Sequence, residues 1–193
     1  MMRRPGLGLA LCLLLCLSAP LFGEGRVPDT DPELRRLLKA AMADGGHFVD
    51  RFDAEVWLID MSGRLARWQL PPAERLPILR AVHREASRNR LEPELVLSVI
   101  AVESSFDRFA ISVVGAQGLM QIMPFWLAEI GRPDANLFDI DTNLRMGCTI
   151  LRHYIDVEKG DVFRALARYN GSLGKSAFPA RVYRMRRRYW YQQ

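Results

Sequence analysis

Residues 92–124 read EPELVLSVIAVESSFDRFAISVVGAQGLMQIMP, and the rest of the chain is organised around them. Pro93 stands where a first helical turn tolerates a missing N–H, and the run from Leu95 to Val102 is apolar apart from Ser98. Such a run predicts a helix that is largely buried. Glu103 ends it. A carboxylate directly after a buried helix is not there for packing: it lines a cleft, pairs with a cation or turns to solvent. Ser104 and Ser105 follow, then the glycine-punctuated loop Gly115-Ala116-Gln117-Gly118, then Leu119-Met120-Gln121-Ile122-Met123-Pro124.

Three short motifs stand in order along the chain: Glu103-Ser104, then Gly118-Leu119-Met120-Gln121, then Ala167-Arg168-Tyr169-Asn170-Gly171. With Ala110, Ser112 and Gly115 between the first two, they resemble the motifs of the soluble lytic transglycosylase domain family. Those enzymes cleave the glycan strands of bacterial peptidoglycan. The resemblance runs from about Leu76 to about Trp190. It implies a mostly α, lysozyme-like helical domain of the goose-type lysozyme architecture. One departure is visible. The family often opens its final helix with a tyrosine and has an aliphatic residue four positions on; Phe178 and Val182 hold those places here.

Cleavage of a glycosidic bond requires a proton donor that is still protonated near neutral pH, hence a carboxylic acid whose pKa is raised by apolar surroundings. Glu103, between Val102 and Phe106 and with Met120 and Met123 near in sequence order, suits that demand. Most glycosidases also need a second carboxylate. None stands out: Asp107 reads as a loop cap, and Asp139 and Asp141 as the start of the next helix. The resemblance implies that Glu103 alone acts, first as acid and then as base. The substrate's own 6-hydroxyl would attack, with help from its N-acetyl group, giving a 1,6-anhydromuramic acid end without water. It further implies that Ser104 orients or hydrogen-bonds near Glu103, that Met120 and Gln121 line the sugar cleft, that Tyr169 brings its hydroxyl near Glu103, and that Asn170 contacts the substrate. No metal and no cofactor are expected.

Composition bounds the rest. The chain has 193 residues, 49% hydrophobic content and a net charge of +5, which suits one domain with a sizeable core. Residues 1–23 read as a signal peptide: Arg3 and Arg4, an apolar run from Leu7 to Leu17, then small residues up to Gly23. That run is too short for a stable bilayer span, so no transmembrane anchor is expected once it is cleaved. The residues before Cys12 and Cys16 are leucines, which argues against lipidation. Export would place the protein in the periplasm or cell envelope. Only Cys148 would then remain, in a helical pattern that points to packing rather than nucleophilic chemistry. The basic cluster Arg181, Arg184, Arg186, Arg187 and Arg188 suits an anionic polymer such as the cell wall, or simply a solvated helix face. Export argues against nucleic acid as a partner and leaves peptidoglycan strands, and an envelope-spanning assembly, as the partners to expect.

Residues 24–72 predict a short N-terminal helical extension, and 73–193 the catalytic domain. Asp31 with Pro32 starts a helix through Leu34, Leu37, Leu38 and Ala41. Phe48, Phe52, Val56 and Ile59 then recur at helical spacing, although Val56–Ile59 also fits a strand turning at Ser62-Gly63. Leu76, Leu79, Val82 and Ala86 form one helical stripe, beside which His83 reads as structural. Asp141 or Thr142 caps a long helix to Val157, inside which Gly147 points to a close helix–helix approach. Asp161 caps the helix that leads to Tyr169, and a last helix covers about Pro179–Trp190. The sequence leaves two other readings in play: a hydrolytic, lysozyme-like muramidase and a non-catalytic wall-binding module.

Overall fold

The structure, a computed structural model, describes residues 31–43 and 51–191, with side chains of the second stretch from residue 56 onward. The predicted signal peptide lies outside the described residues. Eight α-helices are present among them: α1 (Pro32–Ala43), α2 (Arg51–Leu65), α3 (Pro72–Arg88), α4 (Pro93–Glu103), α5 (Phe125–Glu129), α6 (Ile140–Val157), α7 (Val162–Tyr169) and α8 (Ala177–Met185). Extended pairing among the described residues is limited to isolated bridges, Ile111 with Gln117 and Gln117 with Ile122. The mostly helical class read from the sequence holds. No helix of the described residues is long and apolar enough to cross a membrane.

Helix α4 is the buried axis. Every residue from Leu95 to Ala101 is buried, so it has no polar face to turn outward, and α3 and α8 cover it. Helix α6 is the second hub, covered by α1, α3 and α7. Its start differs from the sequence reading: Asp139, not Asp141 or Thr142, is the cap, its Oδ1 accepting the Thr142 N–H at 2.9 Å. Asp141 instead accepts from Arg84 Nη2 at 2.7 Å. Asp161 caps α7 as expected, accepting the Arg164 N–H at 3.0 Å.

The N-terminal segment docks through a few large residues. Leu34 and Leu38 are fully buried and seat α1 against α6. In α2 the strand alternative fails, and so does the predicted stripe. Val56 and Ile59 point to solvent, while Trp57, Met61 and Leu65 turn inward. Trp57 sets that rotation, because its indole N–H donates to Glu94 Oε1 of α4 at 2.8 Å.

An aromatic cluster closes the other end. Trp68 stacks on Trp190 with centroids 5.1 Å apart, and Phe106 meets Trp68 edge-on at 4.9 Å. The last helix starts at Ala177; its α-helical part ends at Met185 and continues as a π-helical turn, Arg186–Trp190, to the expected end, which delivers Trp190 to this cluster. Phe106 is completely buried there, three residues beyond Glu103. Ser105 and Phe106 adopt φ of 51° and 67°, so the chain leaves α4 through a left-handed corner that the aromatic contacts hold in place.

Candidate active site

Glu103 is the last residue of α4, and the corner behind it fixes where its side chain goes. It lies on the wall of a cleft of about 460 Å³. Gln121, Tyr169 and Asn170 share that wall, and Phe125, Trp126 and Tyr154 add aromatic surface. No hydrogen bond or ion pair holds the Glu103 carboxylate among the described residues. Burial raises its pKa from 4.5 to about 7, against the opposing pull of the Arg181 charge. Arg181 itself is exposed on α8 and donates to the Val102 carbonyl at 3.4 Å.

The loop opposite Glu103 is pinned from below. Asn143 of α6 is buried and spends its whole amide on it: Oδ1 accepts the Met120 N–H at 2.8 Å, and Nδ2 donates to the carbonyls of Gln117 (2.9 Å) and Leu137 (2.8 Å). Gly118 is required at this place. Its φ is +77°, and a Cβ there would meet Asn143 Nδ2 at 2.3 Å and the Leu137 carbonyl at 2.4 Å. Met120 is fully buried on Gly147, where a Cβ would stand 2.4 Å from the Met120 sulfur. The close approach that Gly147 permits is therefore of a loop side chain to a helix, rather than of two helices. The Tyr169 hydroxyl donates to the Met120 carbonyl at 2.7 Å.

The predicted site residues thus divide. Glu103, Gln121, Tyr169 and Asn170 meet at the cleft. Ser104 and Met120 stand behind it: the Ser104 hydroxyl is shared between the carbonyls of Leu119 (2.9 Å) and Ile100 (3.2 Å), tying α4 to the loop. Gln121 reaches the cleft with its amide anchored, Nε2 donating to the carbonyls of Ala110 (3.1 Å) and Gly118 (3.0 Å). The Tyr169 hydroxyl points to Met120, while burial and the nearby Glu103 charge push its pKa well above the ordinary value, so it stays a neutral donor.

Sequence reasoning missed Asn143 and the second cleft-lining carboxylate, Asp31. The signal for Asn143 was available: in a helix already capped by Asp139, a further asparagine beside Leu144 and one turn from Gly147 is surplus to capping. Asp107 is what it looked like, a turn cap that accepts the Phe109 N–H at 2.8 Å. Cys148 is fully buried, and burial drives its thiol far above the ordinary value, so it is inert. Among the described residues no group of three or more metal-ligating side chains converges.

Known proteins resemble this chain in sequence. A transglycosylase from Enterobacteria phage PRD1 is 32% identical over 122 residues, 63% of this chain and 41% of the phage protein. The membrane-bound lytic murein transglycosylase F of Desulfosudis oleivorans is 36% identical over 107 residues, 52% of this chain and 23% of its own length. The chain thus spans less than half the length of these relatives. A solved lytic transglycosylase from Pseudomonas aeruginosa aligns with a TM-score of 0.43 at 32% identity, over 55% of this chain and 17% of that one. The family model described as the transglycosylase SLT domain matches residues 80–188. That match begins in α3 and ends in the final turn, and it encloses Glu103, the Met120 loop and Tyr169 alike; the chain belongs to the transglycosylase SLT domain family.

Proposed function

We propose that this protein is a peptidoglycan lytic transglycosylase, which cleaves the β-1,4 bond between N-acetylmuramic acid and N-acetylglucosamine and leaves a 1,6-anhydromuramic acid end. The observation that carries the reading is Glu103, drawn out of water at the cleft, without a hydrogen-bonding partner among the described residues, and raised to about 7. A carboxyl in that state is protonated often enough at neutral pH to serve as an acid and is readily reformed as a base.

Glu103 gives its proton to the glycosidic oxygen as the bond from that oxygen to the muramic acid C1 breaks. The substrate's 6-hydroxyl oxygen then bonds to C1, and its proton returns to Glu103. No water enters, so a second carboxylate to activate it is unnecessary. Gln121, Tyr169 and Asn170 bind the sugars from the cleft wall, while Ser104 and Met120 act through the loop they hold. Phe125 and Trp126 offer faces on which sugar rings pack. Residues 73–193 form the catalytic domain, preceded by a helical extension over 24–72 and a signal peptide over 1–23. The protein works in the periplasm, on the wall.

Mass spectrometry of products from purified sacculi tests this. Muropeptides should end in 1,6-anhydromuramic acid, one water lighter than hydrolytic products and untouched by borohydride. Reducible muramic acid ends as the main product would overturn the mechanism in favour of a muramidase.

A further inference from the structure

Asp31 precedes the matched family region by many residues, yet its side chain lines the same cleft as Glu103. Its position is built. Oδ1 caps α1, accepting the N–H groups of Glu33 (3.0 Å) and Leu34 (3.3 Å). Oδ2 lies 2.6 Å from Nε2 of His153, a residue buried in α6. Since Leu34 and Leu38 lock α1 onto α6, the carboxylate cannot swing away. A carboxylate has about four acceptor positions, and three are taken here. The side chain is nevertheless 41% exposed, so accepting capacity remains open to the cleft. Burial works to raise its pKa, but the hydrogen bonds from His153 and from the start of α1 outweigh it and hold the group below its ordinary value. Asp31 is therefore charged at neutral pH.

Asp31 lines the cleft together with Tyr154 and Arg168. Its neighbours there define a chemistry. Tyr154 presents a partly buried ring, and Arg168 lines the cleft with its guanidinium already bound to Glu158, Nε to Oε1 at 2.7 Å. An aromatic face next to a fixed carboxylate suits a sugar, whose ring packs on the one while its hydroxyl and amide N–H groups donate to the other.

Building on the proposed function, we propose that Asp31 is a saccharide-binding residue, whose carboxylate accepts hydrogen bonds from a sugar of the bound strand. The segment ahead of the family domain then completes the substrate site, and His153 is the positioning residue that aims the carboxylate.

Two substitutions separate this role from capping. Asp31→Asn retains size and cap but removes the charge. Asp31→Ser retains the cap and withdraws the carboxylate from the cleft. Each is combined with Glu103→Gln so that purified glycan strands bind without being cut, and affinity is measured well below the unfolding midpoint. Asp31→Ser should weaken binding about tenfold, as for loss of a charge-assisted hydrogen bond, and Asp31→Asn by less. With Glu103 intact, both should raise KM with little change in kcat. Strand affinity equal to that of the parent in both variants overturns this inference alone; so does a fall in kcat at constant KM. A parent chain that neither binds nor cleaves glycan strands overturns the functional reading, and this inference with it.

Discussion

Glu85 and Glu103 are both drawn away from solvent by the helices that carry them, and their surroundings are opposites. Glu85 of α3 is completely buried, and three guanidinium groups surround it: Arg84 Nε at 2.9 Å, Arg88 Nη1 at 3.4 Å and Arg145 Nε at 3.6 Å. Glu103 is less deeply buried, yet no side chain or backbone N–H among the described residues bonds to it, and its pKa climbs to about 7. Burial alone therefore does not make a chemically poised carboxyl. A buried acid with cations around it is a structural tie, and a buried acid left without them keeps its proton up to a higher pH.

The same substitution at the two positions should give opposite results, and the larger effect falls on Glu103. Glu103→Gln keeps the size and removes the transferable proton, so turnover on sacculi should fall roughly a thousandfold or more. Its stability should not fall with it. In the unfolded chain Glu103 titrates near 4.5, in the folded one near 7. Below the lower value both states are protonated and the two proteins compare evenly. As pH rises toward 7 only the unfolded chain ionises freely, so the native Glu103 protein loses up to about 3 kcal/mol that the glutamine variant does not. Denaturant unfolding at several pH values should show the variant's advantage opening between those pKa values and levelling off above 7. A gap that stays constant with pH would mean that the carboxyl is not desolvated.

Glu85→Gln should do the reverse. Three arginines would face a neutral amide, and breaking such a buried cluster from one side costs about 3 kcal/mol. Turnover per folded molecule should hold, because Glu85 does not reach the cleft. A stable Glu85→Gln protein would mean that the arginines rehydrate when their partner goes, and the contrast between the two sites would lose half its content.

How far the contrast was legible follows from the range of each interaction. Glu103 could be read because its signal is local: a carboxylate at the end of an apolar run has few uses. The helix starts at Pro32, Pro93 and Asp161 were legible for the same reason, since capping is settled within a turn. Met120 was not. It read as a cleft residue, but Gly147 makes a slot for it in α6, and nothing in the loop records that. Nor could the sequence pair Asp31 with His153, which stands 122 residues away. Asp31 read as a helix cap, and it is one; its place in the cleft appears only when α1 docks on α6. The rotation of α2 was misread because a stripe of apolar residues does not say which of two faces turns inward, whereas one bond from Trp57 to Glu94 does.

The smallest expected effect tests whether Glu103 is as isolated as the contrast requires. Among the described residues the Arg181 guanidinium is the charge that acts on it, and it acts against burial, favouring the carboxylate. Arg181 is exposed, so solvent and salt screen most of its influence. Arg181→Gln removes the charge, and the Glu103 pKa should then move further up. The alkaline fall in kcat/KM, which reports the acid in the free enzyme, should shift to higher pH by on the order of a few tenths of a unit. Added salt should shrink the difference between the two proteins, because it weakens only the interaction that the variant already lacks. A shift to lower pH would place another positive charge at the carboxyl. A shift of more than a unit would make Arg181 an ion-pair partner, and Glu103 would then resemble Glu85 more than its opposite.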